Sequence, residues 1–210
     1  LGIDRIEKYL KYFGFGSKMG IDLPGEATGL VPNPVWKNSV KKEAWFTGDT
    51  YNVSIGQGDV LVTPLQMAEG IAAIANGGTL WKPKIVLKIT DSSGRTIKDF
   101  KSEKIRDNLI SDDKIKIIRE GMRGAVTDGS AWFLNDLPIK VAGKTGTAQV
   151  TNTFKKTNAW FTGFAPYDNP EIALAIVVEG AGEGSTAAVP VAKEVFNWYY
   201  NQNYDRMNKQ

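Results

Sequence analysis

The sequence predicts an α+β fold, an antiparallel sheet with helices packed on it. Three observations carry that prediction. Three strand-like runs follow one another closely near the C-terminal end, at Lys144–Val150, Ala159–Ala165 and Ile172–Glu179. Turn-forming segments such as Pro166-Tyr167-Asp168-Asn169-Pro170 join them, and connections so short favour an antiparallel meander. Helical patterns lie on both sides of these strands, and apolar residues make up 42% of the chain, enough for a real core.

The elements follow in chain order. Leu1 to Phe13 reads as an amphipathic helix, with Ile3, Ile6, Leu10 and Phe13 at helical spacing and Gly14 as its stop. Gly14 to Thr50 is rich in Gly and Pro and lacks sustained periodicity, so it reads as a long surface excursion with short turns. Pro64–Ala75 is a helix capped by Thr63, with Pro64 in its first turn and Asn76-Gly77-Gly78 ending it. Ile85–Thr90 alternates like a strand, and Asp91-Ser92-Ser93-Gly94 turns it into a second near Thr96–Phe100. Ser111 starts a helix that shows Ile115, Ile118, Met122 and Val126 on one face and ends near Thr127. After the three strands, a last helix covers about Val189 to Asn201. No repeat and no low-complexity segment interrupts the pattern, and 210 residues suit one domain or a large piece of one.

Composition excludes several chemistries. The chain has no cysteine and no histidine, which rules out disulfides, zinc sites of the usual Cys/His kind and a Ser-His-Asp triad within it. Acid–base work must fall to Lys, Asp, Glu or Tyr. The net charge of +3, with basic residues scattered, gives no footprint for nucleic acid. No apolar run approaches the ~20 residues that span a bilayer.

The sharpest local feature is Lys144-Thr145-Gly146-Thr147-Ala148 at the start of a strand. The lysine offers a fixed positive charge, and the threonine hydroxyls can bind a carboxylate. The glycine lets a substrate lie close against the backbone. The same triplet is the third motif of serine acyl-transferases whose nucleophile lies in Ser-x-x-Lys. The plain alternative is a surface lysine with two strand threonines, and a given tripeptide arises by chance in roughly one chain of this length in forty.

Further segments narrow the choice. Gly20-Ile21-Asp22-Leu23-Pro24-Gly25-Glu26 with Gly29, Gly48-Asp49-Thr50, Ser54-Ile55-Gly56-Gln57-Gly58, Thr63-Pro64-Leu65-Gln66-Met67-Ala68, Lys144 to Gln149, and Trp160-Phe161-Thr162-Gly163-Phe164-Ala165-Pro166 occur in that order. Together they resemble the class B penicillin-binding proteins, and most closely the elongation-type penicillin-binding protein 2 family. The resemblance covers nearly all of the chain. It implies the penicillin-binding protein/serine β-lactamase-like transpeptidase fold, of which residues 1–210 would be the C-terminal portion.

The resemblance also implies an activity: a peptidoglycan D,D-transpeptidase whose serine attacks the D-Ala–D-Ala bond of a stem peptide and which β-lactams acylate. Lys144 would help relay a proton. Thr145 and Thr147 would hold the substrate carboxylate, and the Thr147 N–H would supply half of the oxyanion hole. Gly146 would let the substrate approach. The family needs no cofactor. Its partners would be stem peptides, β-lactams and an elongation glycosyltransferase. The expected location is extracytoplasmic, with an upstream transmembrane helix as anchor.

The chain departs from the family in one respect. Ser-x-x-Lys and Ser-x-Asn would both precede the segment that begins at Leu1. Ser39-Val40-Lys41-Lys42 and Ser111-Asp112-Asp113-Lys114 fit Ser-x-x-Lys by chance. Ser39 is expected in a loop, where no helix aligns it with lysine, and Ser111 as a helix N-cap followed by acidic residues. No Ser-x-Asn occurs, and Thr50-Tyr51-Asn52, which mimics it, reads as a turn. The chain alone is therefore expected to be inactive. Two other readings stay open, a non-catalytic peptidoglycan-binding module and a serine β-lactamase, although the Glu-x-x-x-Asn of class A enzymes is absent. Trp160, Phe161, Phe164, Trp132 and Trp45 are expected in the core, Gly56 and Gly58 in a tight turn, and Asp49 as a carboxylate that orders a loop.

Overall fold

The computed structural model describes residues 1–150 and 156–207. The chain forms two compact units. One comprises Leu1–Ala73 and Thr79–Leu109. The other comprises Ile74–Gly78 and everything from Ile110 onward.

The first unit begins with α1 (Ile3–Tyr12), as the apolar spacing predicts. The Gly/Pro-rich stretch after it is not only loop. It holds α2 (Pro34–Lys41) and the start of α3 (Thr47–Ser54). Asn33 caps α2 by accepting from Trp36 N at 2.7 Å, and Pro34 stands at its first position. Two corrections follow. Ser39 lies within a helix, but Lys42 leaves it at φ 59°, so the Ser-x-x-Lys pattern is broken there by the helix end. Thr50-Tyr51-Asn52 is helical, not a turn.

The first unit is held by side chains that satisfy its loops. Helix α4 (Pro64–Ala75) starts with a reciprocal cap: Gln66 N donates to Thr63 Oγ1 and Thr63 N donates to Gln66 Oε1. Gln66 is fully buried, and its Nε2 donates to Ser17 O and Thr28 O at 2.8 Å each. Gly29 is glycine by necessity, because φ is +64° and a Cβ would meet Leu61 O at 2.4 Å. Glu26 accepts from the Met19 and Gly20 amides. Asp22 accepts from Ile85 N and Val86 N, and those bonds hold its carboxyl below the usual range. Asp49 lies in the first turn of α3 and orders the residues that enter it, accepting from Phe46 N at 2.7 Å and from the buried Lys37 Nζ at 2.8 Å. The Lys37 hydrogen bond lowers the Asp49 pKa, and the same bond raises that of Lys37. Gly56 and Gly58 take positive φ after α3, as a tight turn requires.

Four short strands complete this unit: β1 (Leu80–Trp81), β2 (Lys88–Thr90), β3 (Thr96–Asp99) and β4 (Lys104–Arg106). They pair antiparallel, β1 with β4 and β2 with β3. β2 is shorter than the alternation from Ile85 suggests, because the Ile85 and Val86 amides are taken by Asp22. β1 and β4 are too short to leave a period in the sequence.

The second unit is a sheet with a helix on each face. Helix α5 (Asp112–Thr127) leads through a 3-10 turn (Trp132–Leu134) to β5 (Ala142–Gln149), β6 (Thr157–Ala165) and β7 (Ile172–Val178), and α6 (Gly184–Met207) closes it. The sheet is the expected antiparallel meander, ordered β5-β6-β7. Phe196 of α6 meets Phe161 on one face, and Arg119 of α5 lies over Phe164, which strand alternation puts on the other. Val126, Leu134, Val141, Ala159, Phe161, Ala188, Val189 and Phe196 belong to one buried core cluster. Helix α6 begins five residues before Val189. Pro190 lies inside the helix. Ser111 stands at the N-cap position of α5, but its side chain makes no cap bond and its Oγ accepts instead from Lys114 Nζ at 3.2 Å. Phe161 and Phe164 are fully buried as expected and Trp160 is partly so, while Trp45 is half-buried and donates to Thr50 Oγ1. Trp132 is 68% exposed, contrary to the core role expected of it, because the 3-10 turn buries Leu134 and turns the indole outward.

Candidate active site

Strand β5 sits at the edge of its sheet and carries all four predicted site residues. Its register against β6 pairs Lys144 with Thr162, Thr145 with Phe161, Gly146 with Trp160 and Thr147 with Ala159. Phe161 and Ala159 are fully buried. Strand alternation therefore divides the motif: Thr145 and Thr147 share the face of Phe161, on which Phe196 of α6 packs, and Lys144 and Gly146 the opposite face, that of Thr162 and Phe164. Lys144 is exposed, and its Nζ donates to the Thr145 carbonyl.

The strand's position is fixed by residues with no room for a side chain. Gly143 and Gly163 are register partners, and a Cβ on either would strike the Phe161 ring at 2.5 or 2.7 Å. Phe161 in turn meets Phe196 of α6 edge-on, with ring centroids 6.4 Å apart. Helix α6 starts hard against the same strand. A Cβ on Gly184 would lie 2.3 Å from Trp160 O and 2.5 Å from Gly146 O. The Gly184 amide donates to Thr147 Oγ1 at 3.4 Å. Arg123 on α5 reaches the start of β5, donating to Val141 O at 2.7 Å and to Asn135 Oδ1 at 3.1 Å.

Sequence reasoning missed Ser130, whose Oγ lies 2.6 Å from Thr145 Oγ1. Its turn is tightly set: the Ala131 amide donates to Ala125 O, and a Cβ on Gly129 would stand 2.8 Å from Ala125 Cα. Its one visible signal is the small triplet Gly129-Ser130-Ala131 just after a helix. A separate pocket of about 310 Å³, lined by Gly77, Asp112, Ile115, Lys116, Arg119, Tyr167 and Asp168, includes none of the motif residues. Among the described residues no cluster of three acidic, His or Cys side chains could hold a metal ion.

The arrangement can present a cation, hydroxyls and a free strand edge to an extended anionic peptide. Comparison with known proteins gives this geometry a lineage. The family model of the penicillin-binding protein transpeptidase domain matches residues 1–197. The chain belongs to that family. Among its transpeptidase relatives, the peptidoglycan D,D-transpeptidase MrdA of Acinetobacter baumannii is 38% identical over 212 residues, 95% of this chain and 31% of that protein. The MrdA of Haemophilus influenzae is 33% identical over 228 residues, all of this chain and 34% of that protein. The chain thus spans about a third of the length of these relatives. The fold also matches penicillin-binding protein 2 of Pseudomonas aeruginosa, solved with WCK 5153, at a TM-score of 0.80 and 35% identity, over 95% of this chain and 44% of that one. Penicillin-binding protein 2 of Helicobacter pylori, solved in complex with MreC, matches at 0.80 and 33%, over 98% and 36%.

Proposed function

We propose that the protein carrying this chain is a peptidoglycan D,D-transpeptidase and that these residues form the C-terminal portion of its transpeptidase domain. The observation that carries the reading is Lys144-Thr145-Gly146-Thr147 on an edge strand, in a chain of the penicillin-binding transpeptidase family. A serine from a Ser-x-x-Lys motif elsewhere in the protein attacks the D-Ala–D-Ala carbonyl, and D-alanine leaves. The acyl group then passes to an amine of a neighbouring stem peptide. β-Lactams acylate the same serine.

This chain supplies the binding wall. Lys144 brings its positive charge to the proton relay beside the nucleophile. The Thr145 and Thr147 hydroxyls receive the substrate carboxylate, the Thr147 N–H donates to the developing oxyanion, and Gly146 leaves room for the backbone. The work is extracytoplasmic, beside an elongation glycosyltransferase, on a protein held by an upstream membrane anchor. Among the described residues no helix is long and apolar enough to cross a membrane.

Labelling with fluorescent penicillin tests the reading. This chain alone stays unlabelled, and the full-length protein is labelled on a serine outside residues 1–210. Label on any serine of this chain refutes the assignment. A folded full-length protein that takes no label is a peptidoglycan-binding module instead.

A further inference from the structure

We propose that Ser130 is a positioning residue for substrate carboxylate recognition, acting through Thr145; this rests on the assignment of Thr145 to the carboxylate. The two hydroxyl oxygens lie 2.6 Å apart, a full-strength hydrogen bond in which either could donate. Ser130 is exposed and Thr145 partly so, which leaves the pair at a surface that a ligand can reach.

A carboxylate accepts hydrogen bonds and offers none. Each hydroxyl has one proton. If Thr145 spends its proton on Ser130, none remains for the anion. An arriving carboxylate therefore selects the other order: Ser130 donates to Thr145 Oγ1, and Thr145 donates to the carboxylate. A donor that itself accepts a hydrogen bond is the stronger donor, so the chain of two bonds binds the anion better than Thr145 alone. Ser130 also holds Thr145 to one side-chain rotamer before the ligand arrives.

Ser130 itself is held for this task. The Ala131 amide bonds Ala125 O at 2.9 Å, and the Trp132 amide bonds Gly129 O at 3.2 Å. Ala131 and Leu134, on either side of the exposed Trp132, are fully buried. The turn cannot drift from the strand without unpacking these two residues.

The test compares acylation of the full-length protein by benzylpenicillin and by its methyl ester, which lacks the anion. Ser130→Ala is expected to slow acylation by the acid about tenfold and by the ester little, so that the acid-to-ester ratio falls. Ser130→Thr, which keeps a hydroxyl, should restore the ratio, and the melting temperature of both variants should match the parent. An equal loss for acid and ester, or no rescue by threonine, overturns the proposal. Thr145→Val is run beside them. If it leaves the ratio unchanged, the assignment of Thr145 to the carboxylate has failed, and the role of Ser130 falls with it. If it lowers the ratio and Ser130→Ala does not, the proposal for Ser130 alone is overturned.

Discussion

The N-terminal glycine of the last helix, Gly184, stands directly on Gly146 of the Lys-Thr-Gly strand, with room for nothing between them. A methyl group on Gly184 would meet two backbone oxygens, which cannot swing aside as a side chain could. Gly184→Ala should therefore destabilise the protein by about 1–3 kcal/mol and displace β5. Thermal melts would register the first effect and slower penicillin acylation of the full-length protein the second. A variant with unchanged melting and acylation would show that the contact yields freely.

Gln66 is a fully buried polar side chain of the first unit that bonds three backbone groups. Its removal strands the Ser17 and Thr28 carbonyls and the Thr63 amide. Gln66→Ala should cost about 3–5 kcal/mol, since several buried groups lose their partners and a cavity opens together. Urea unfolding of parent and variant measures the difference. A loss under ~1 kcal/mol would mean that water replaces the side chain without penalty.

Glu69 gives the protein a pH signature. Desolvation pushes its pKa up from 4.5 to about 6. An acid whose folded pKa exceeds the unfolded value weakens the fold as pH rises through this window, and the full penalty stands above it. Glu69→Gln removes the penalty. The variant should be more stable at pH 7.5 by about 1 kcal/mol, allowing for solvent screening of a half-exposed group, and should gain nothing at pH 4. Calorimetry at the two pH values decides it.

Lys144 should separate stability from chemistry. Its side chain is exposed and its one observed bond is to the neighbouring carbonyl. Lys144→Ala should change stability by under ~0.5 kcal/mol and slow acylation of the full-length protein by at least about a hundredfold. Equal acylation rates would remove Lys144 from the proton relay.

What the sequence could tell followed the length of its signals. The meander from Ala142 to Val178 was readable because alternation and turn residues agree over three strands, and α4 because Thr63 and Pro64 announce its start. Helices α2 and α3 were hidden. Each is eight residues long, too short for a clear period, and α2 rests on one cap at Asn33 within a Gly/Pro-rich stretch. The core role expected of Trp132 failed because an indole says nothing about which way a 3-10 turn faces. The Lys-Thr-Gly strand was visible as a motif, but Ser130 was not, since 15 residues separate it from the hydroxyl it meets. Gly184 lies still further from Gly146, and no local pattern foretells their contact.

The Phe161 ring lies against two glycines of the sheet and, at its other side, meets Phe196 edge-on. The ring behaves as a wedge between helix and strand. A change in bulk at Phe196, fully buried on α6, would therefore be passed on as a displacement of Gly143 and of the lysine that follows it. The position of the Lys-Thr-Gly strand is thus open to adjustment from the back of the sheet, without any alteration of the motif itself.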